Sequence, residues 1–480
     1  MTHLARQVVA NWSPLFLWYF GILNLFYGVL LALSVLECVK HWTLVHRLRF
    51  TDRLPDAAFP PISIVVAAYN EAAVIADSVR ALLRLDYPAY EVVVVNDGSS
   101  DDTLDELDRA FDLHPVPPAF QQSLDAGPVR GFYRSKRHPA LLVVDKGRGR
   151  IPGRAAPLNV GLNAARYPYF MTVDADTVVN RGALRQLART FFVTGRRVVG
   201  SGGTIRVANG VRFRDGEAID PRVSHRWVVG MQVPEYFRAF LFGRLAWNRL
   251  GGNLLISGAF SMYDKRLAIE VGGFRETSIT EDLDLTVRMH RRMRERGEPY
   301  AITFVPDPVA WTEVPRTVGI LGNQRERWHR GLMDTIFRNP RMFMNARYGP
   351  VGLLTFPYYV IGEMLEPAVE AAGYLVIAAG LLLGAIDVRF LLLFAALAFG
   401  YQMLLSVCGV ILELLTFRVY PRTSDYLKLI GFALIEPLGF RQLTVWWRLK
   451  GIGRFLADLG GWNVQERYGF EEESASAGES

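Results

Sequence analysis

Ile62-Ser63-Ile64-Val65-Val66-Ala67-Ala68 is a short apolar run rich in β-branched residues, and residues 72–85 after it carry apolar side chains at spacings of three and four. A buried strand feeding an amphipathic helix is the building unit of parallel sheets. The unit recurs outward from there: residues 92–95 and 141–144 read as buried strands, residues 155–165 as a helix, and residues 170–173 as a further strand. The spacing predicts an α/β domain with a largely parallel sheet, in which ligands gather beyond the carboxyl ends of the strands. Residues 114–118 and 147–153 are rich in Pro, Gly or Arg, lack periodicity and read as connecting loops.

The 480 residues change character towards both ends. Residues 13–36 contain no charge and are long enough to cross a hydrocarbon core of about 30 Å. They are too long, and too poorly flanked by basic and small residues, for a signal peptide, so a retained anchor is expected. Lys40, Arg47, Arg49 and Arg53 follow closely, which by the positive-inside rule puts the central domain in the cytoplasm. After Tyr348, three further apolar stretches (351–383, 390–415 and 426–447) are candidate membrane elements, giving two or three crossings. The first carries Glu363, Glu366 and Glu370, so its first half is expected to lie along the interface. The third contains Lys428, Glu436 and Arg441, and reads as interfacial or as a crossing that faces a polar path. The expected organisation is an anchor over 1–48, a cytoplasmic domain over 49–347, membrane and interfacial helices over 348–465, and an acidic disordered tail over 466–480.

The net charge of +7 is spread through helices and beside membrane segments, which argues for anionic lipid and a phosphorylated substrate and against nucleic acid. Cys38 and Cys408 are the two cysteines, too few for a zinc site or a disulfide framework.

Four polar constellations sit where chemistry is expected. The strand 92–95 runs into Asn96-Asp97-Gly98-Ser99, where Asp97 can accept from a base or sugar while Asp101 or Asp102 caps the next helix. The strand 169–173 ends in Asp174-Ala175-Asp176, alternate carboxylates able to share a hard cation, Mg²⁺ or Mn²⁺, with a diphosphate. By itself such a pair is as readily a turn or cap. Thr280-Glu281-Asp282 opens a helix, where acidic residues serve either as caps or as a catalytic base. Gln324-Arg325-Glu326-Arg327-Trp328 offers a guanidinium for a diphosphate and an indole for a sugar face, or else a lipid-headgroup anchor.

Together with Tyr69-Asn70-Glu71, these motifs resemble, in order over residues 60–328, the family 2 membrane glycosyltransferases, such as the synthases of cellulose, chitin oligosaccharide, hyaluronan and poly-N-acetylglucosamine. The resemblance implies a GT-A domain inserted between N-terminal and C-terminal transmembrane helices, with its active site on the cytoplasmic face of a bacterial-type inner membrane. It also implies inverting, metal-dependent transfer from a nucleotide sugar, UDP-linked and of the UDP-GlcNAc or UDP-Glc type, to a growing polysaccharide that is exported. In this reading Tyr69, Glu71 and Asp97 hold the nucleotide. Asp174 stays near the nucleotide sugar, and Asp176 ligates the metal. Asp282 is the general base with Glu281 beside it, and Gln324, Arg327 and Trp328 line the acceptor and diphosphate region.

Residues 255–262 resemble the acceptor-side segment of the poly-N-acetylglucosamine branch. One departure is Gly153-Arg154-Ala155, where relatives show Gly-Lys-Ala; Arg154 then becomes the diphosphate cation, with Lys146 as the other basic group nearby. The same donor site would serve a non-processive enzyme acting on a lipid carrier or glycolipid. A paired-carboxylate glycosidase needs neither nucleotide nor metal and is disfavoured. A non-catalytic transporter or nucleotide-sensing scaffold is the rival outside enzymology. Donor sugar, linkage, acceptor and accessory export subunits stay open.

Overall fold

The computed structural model describes residues 2–47, 54–118, 122–149, 151, 153–214 and 217–457. Arg49, Arg53 and the acidic tail over 466–480 lie outside them.

The described residues form twelve strands: β1 (Ile62–Ala68), β2 (Tyr90–Asp97), β3 (Leu113–Pro115), β4 (Val129–Ser135), β5 (Leu141–Lys146), β6 (Tyr169–Asp174), β7 (Val178–Val179), β8 (Arg197–Val207), β9 (Arg212–Arg214), β10 (Glu217–Ile219), β11 (Phe260–Asp264) and β12 (Tyr300–Thr312). Ten form one sheet in the order β3-β4-β5-β2-β1-β6-β11-β8-β12-β7, while β9 and β10 make a separate ribbon. The parallel core β5-β2-β1-β6 comes from the apolar runs read in the sequence; Ile64, Val65, Val66 and all of 92–95 are fully buried, as strands covered on both faces must be.

The sheet is mixed, which corrects the largely parallel expectation. β11 runs antiparallel between β6 and β8, and β4 runs antiparallel to β5. Residues 114 and 115, expected as loop, belong to the edge strand β3, which Asp112 enters in the left-handed conformation at φ 52°. The helix expected over 72–85 narrows to Ile75–Leu82, because residues 70–72 are drawn into a tertiary turn described below.

Registry explains where the polar groups collect. Ala67 pairs with Asp174, Ala68 with Asn96 and Asp97 with Lys146, so the ends of four parallel strands lie level. The antiparallel β11 starts where β6 stops, with Phe260 opposite Val173, and this carries residues 257–259 to the same edge. Helix Ala155–Ala164 covers the sheet closely: a Cβ on Gly161 would come within 2.2 Å of Val65 Cγ1, so the helix approaches only because that side chain is absent.

Among the described residues two helices, Pro14–Val45 and Val388–Thr416, are long and apolar enough to cross a membrane. Val351–Met364 and Glu366–Leu382 form a pair bent by 42° that counts as a further span if taken together. Among the described residues one or two crossings therefore follow the domain by length and composition, beside the two or three expected. The stretch 426–447 is not one helix: Thr423–Ile435 and Phe440–Leu456 are separated by a turn at Pro437 and Gly439, the latter at φ 109°. The first half of 351–383, expected to lie along an interface, turns its glutamates inward. Glu366 and Glu370 meet Arg441 at 2.7 and 2.8 Å, and Glu366 also meets Arg448 at 2.8 Å, the ion pairing that polar groups among apolar helices require.

Candidate active site

Two loops at the strand ends are stitched together by backbone amides. Asn70 N–H donates to Ser99 Oγ (3.0 Å), Glu71 N–H to Thr103 Oγ1 (2.9 Å) and Ala72 N–H to Asp101 Oδ2 (3.1 Å), while Ser100 N–H donates to Asn70 Oδ1 (2.8 Å). Asp101 also accepts from Thr103 N–H at 3.1 Å. Of the two carboxylates read as capping groups, Asp101 has the binding role, and Asp102 makes no side-chain cap bond. Gly98 takes φ +67°, and a Cβ there would meet Arg148 N at 2.7 Å, so the basic loop lies directly on this turn. The guanidinium of Arg148 stacks 4.8 Å from the Tyr69 ring.

Asp97 ends β2 opposite Lys146, whose Nζ, fully buried, lies 2.6 Å from Asp97 Oδ1. Burial pushes the Asp97 carboxyl up, against the pull of Lys146. Lys146 thus pairs with Asp97, whereas Arg154 faces the other acids.

Arg154 stands at the start of helix Ala155–Ala164. It forms an ion pair with Asp174, bonds Glu281 Oε1 at 3.2 Å and donates to Gly258 O at 3.3 Å. Burial opposes its charge, but Asp174, Glu281, Asp282 and Asp176 outweigh that effect and hold the guanidinium above its ordinary range. Burial likewise raises the Glu281 carboxyl, with Arg154 opposing and Asp282 reinforcing.

The acidic start of helix Glu281–Arg296 divides in three directions. Asp284 is buried and turns away to Arg275 (3.0 Å) and Arg288 (2.8 Å). Glu281 takes Arg154. Asp282 faces the cavity beside Gly258, where a Cβ would lie 3.0 Å from Asp282 Oδ2 and 3.3 Å from Arg154 Nη1. Thr280 makes no side-chain cap bond; instead it packs under helix Val318–Arg338, where a Cβ on Gly331 would fall 2.3 Å from Thr280 Cγ2. That close approach brings the acidic motif to the helix of Gln324, Arg327 and Trp328. Burial lowers the Arg327 guanidinium, while Glu281 and Asp282 pull it back up.

Tyr69, Glu71, Asp97, Arg154, Asp174, Asp176, Glu281, Asp282, Gln324, Arg327 and Trp328, every site residue singled out in the sequence, line one cavity of about 1210 Å³. Leu255, Ser257, Gly258 and Ala259 of the 255–262 segment line it as well. The same cavity extends past Arg238 and Arg244 to Glu366, Glu370, Arg441 and Arg448 on the C-terminal helices. Among the described residues no three His, Cys, Asp or Glu side chains could hold a metal alone. Asp174 and Asp176 supply hard oxygen donors to the cavity, the donor type that Mg²⁺ or Mn²⁺ would take. Arg148, Glu235 and Arg325 were not given roles by the sequence, since nothing in their local spacing signals partners up to 90 residues away.

Comparison with known proteins gives three kinds of likeness. Residues 60–331 match the family model described as glycosyltransferase like family 2. The chain is 27% identical over 338 residues to a poly-beta-1,6-N-acetyl-D-glucosamine synthase of Staphylococcus aureus, covering 69% of this chain and 70% of that protein. A Staphylococcus epidermidis protein of the same description is 27% identical over 278 residues, covering 58% and 56%. Among solved structures, a mannosyltransferase of Pyrobaculum calidifontis in complex with GDP-Man and Mn²⁺ matches with a TM-score of 0.48 at 18% identity, covering 86% of this chain and 99% of that one.

Proposed function

Because this chain belongs to the family 2 glycosyltransferases, we propose that its GT-A domain transfers N-acetylglucosamine from its UDP conjugate to a growing polysaccharide, on the cytoplasmic face of the membrane. The observation that carries the reading is the single cavity, which joins the nucleotide end, the carboxylate pair, Asp282 and Trp328 and then runs on among the C-terminal helices. The staphylococcal relative is named for a polymer of N-acetylglucosamine, which supports the choice of sugar and of a polymeric product. The extension of the cavity to the Glu366–Arg441 pair supports export of the product, and Lys40 in the last turn of the first apolar helix supports the orientation.

In this mechanism Tyr69, Glu71 and Asp97 receive the nucleotide. The Asp282 carboxylate takes the proton of an acceptor hydroxyl as that oxygen attacks the anomeric carbon from the face opposite the diphosphate. The new C–O bond forms as the bond to the diphosphate breaks, UDP leaves with the electron pair, and the anomeric centre inverts. Arg154 and Arg327 meet the charge that develops on the diphosphate in a largely buried setting, where fixed cations act most strongly. A divalent cation on Asp174 and Asp176 would neutralise further phosphate charge.

The test is purified full-length protein in lipid nanodiscs, incubated with a panel of nucleotide sugars and Mn²⁺ or Mg²⁺, reading nucleotide release and product size. UDP release with UDP-N-acetylglucosamine, abolished by chelator, and a ladder of oligomers are expected. A product of one added sugar would replace the polymerase reading by transfer to a lipid carrier; no turnover with any donor would remove the catalytic one.

Gly258 provides a second check. Its Cβ would press on Asp282 and Arg154 at 3.0 and 3.3 Å, so Gly258→Ala should displace both by tenths of an ångström. Transfer is expected to fall roughly tenfold or more with an unchanged circular dichroism spectrum.

A further inference from the structure

Trp328 is 39% exposed and faces the cavity, whereas Arg325, three residues earlier on the same helix face, is 5% exposed. The guanidinium carbon of Arg325 lies 4.5 Å from the centre of the Trp328 ring. On its other side Arg325 Nη2 donates to Glu235 Oε2 at 2.7 Å. Glu235 comes from helix Trp227–Phe237, some ninety positions earlier in the chain, and lines the cavity too.

An indole on a half-exposed helix face has several rotamers open to it. A planar cation stacked on the ring restricts it, provided the cation is itself fixed. Glu235 supplies that fixing. Its surroundings are irregular in a way a plain packing helix does not require: Pro234 precedes it inside the helix, and a π-helical turn, Arg238–Arg244, follows at once. On the same helical run Arg238 is held by Glu436 at 2.5 and 3.0 Å, so the helix carrying Glu235 is also tied to the C-terminal helices.

Resting on the transfer site proposed above, we infer that Glu235 is a positioning residue: through Arg325 it fixes the Trp328 ring as the platform on which the acceptor sugar is laid. The alternative is an ion pair that merely joins two helices. Arg325→Lys separates the two, because lysine keeps the charge pair but cannot lie flat on an indole.

The experiment uses full-length protein in nanodiscs labelled with 5-fluorotryptophan, the Trp328 line being assigned by its loss in W328F. Arg325→Lys and Glu235→Gln are expected to shift or broaden that line. With an N-acetylglucosamine oligosaccharide as acceptor they should raise acceptor KM at least about fivefold and leave donor KM and the melting temperature near those of the parent. A Trp328 line unmoved in Arg325→Lys would overturn the inference, as would a moved line with unchanged acceptor KM. A displaced line in a protein whose parent form transfers no sugar would instead sink the functional reading and leave the clamp standing.

Discussion

Asp282→Asn is expected to lower sugar transfer by about 10²–10⁴-fold and to leave UDP-sugar affinity within about twofold of the parent value. The substitution keeps size and hydrogen-bonding reach but removes the group that accepts a proton. Its neighbours make the loss specific. Glu281 is occupied with Arg154 at 3.2 Å, and Asp284 is buried between Arg275 and Arg288, so neither is placed to take over. Initial rates at saturating donor, with calorimetric titration of the UDP-sugar, check both halves of the expectation. Full turnover in the variant would remove Asp282 as the base.

Arg154→Ala should be nearly as damaging, lowering transfer by about 10²–10³-fold with a clear rise in donor KM. In the absence of donor the guanidinium compensates Asp174, Glu281 and Asp282 together, and its removal leaves these carboxylates facing one another. When the diphosphate arrives, the same cation is at hand for phosphate oxygens. Arg154→Lys keeps the positive charge, but a point charge cannot bridge Asp174, Glu281 and the carbonyl of Gly258 as a planar fork does. Partial recovery is therefore expected from lysine. A parent-like rate in Arg154→Ala would show that the diphosphate is met elsewhere.

The parallel core could be read in the sequence because its strands are uninterrupted apolar runs, and their polar ends, Asp97 and Asp174, mark the ligand-facing edge. β8 escaped the same reading. Gly200, Gly202 and Gly203 break its apolar pattern, yet they are there to let neighbours in: a Cβ on Gly202 would lie 2.9 Å from Ile256 Cβ, and one on Gly203 2.4 Å from Val309 Cγ2. β11 was visible only as part of the 255–262 segment, since strand direction is set by the sheet it joins. The start of helix Ile75–Leu82 was set late in the chain by Asp101 and Thr103, through bonds no local pattern encodes.

The site divides along the same line. Residues whose signal is local, at a strand end or a helix start, such as Asp174, Asp176 and Asp282, stand out in the sequence. Arg148, Glu235 and Arg325 derive their place from partners far along the chain, so only the three-dimensional arrangement brings them forward.

Gly322 and Gly451 bear on how this protein can be handled in pieces. A Cβ on the first would meet Trp447 Nε1 at 2.7 Å and one on the second would meet Glu326 O at 3.0 Å, so the helix bearing Gln324, Arg327 and Trp328 lies flush against Phe440–Leu456. An expression fragment cut at residue 347 to obtain a soluble domain would expose the apolar seam of that helix to solvent and strip one wall from its own reaction chamber. Such a fragment would retain the loops around Asp97 and lose the C-terminal helices that line the rest of the cavity, so its silence in an assay would say nothing against the intact chain.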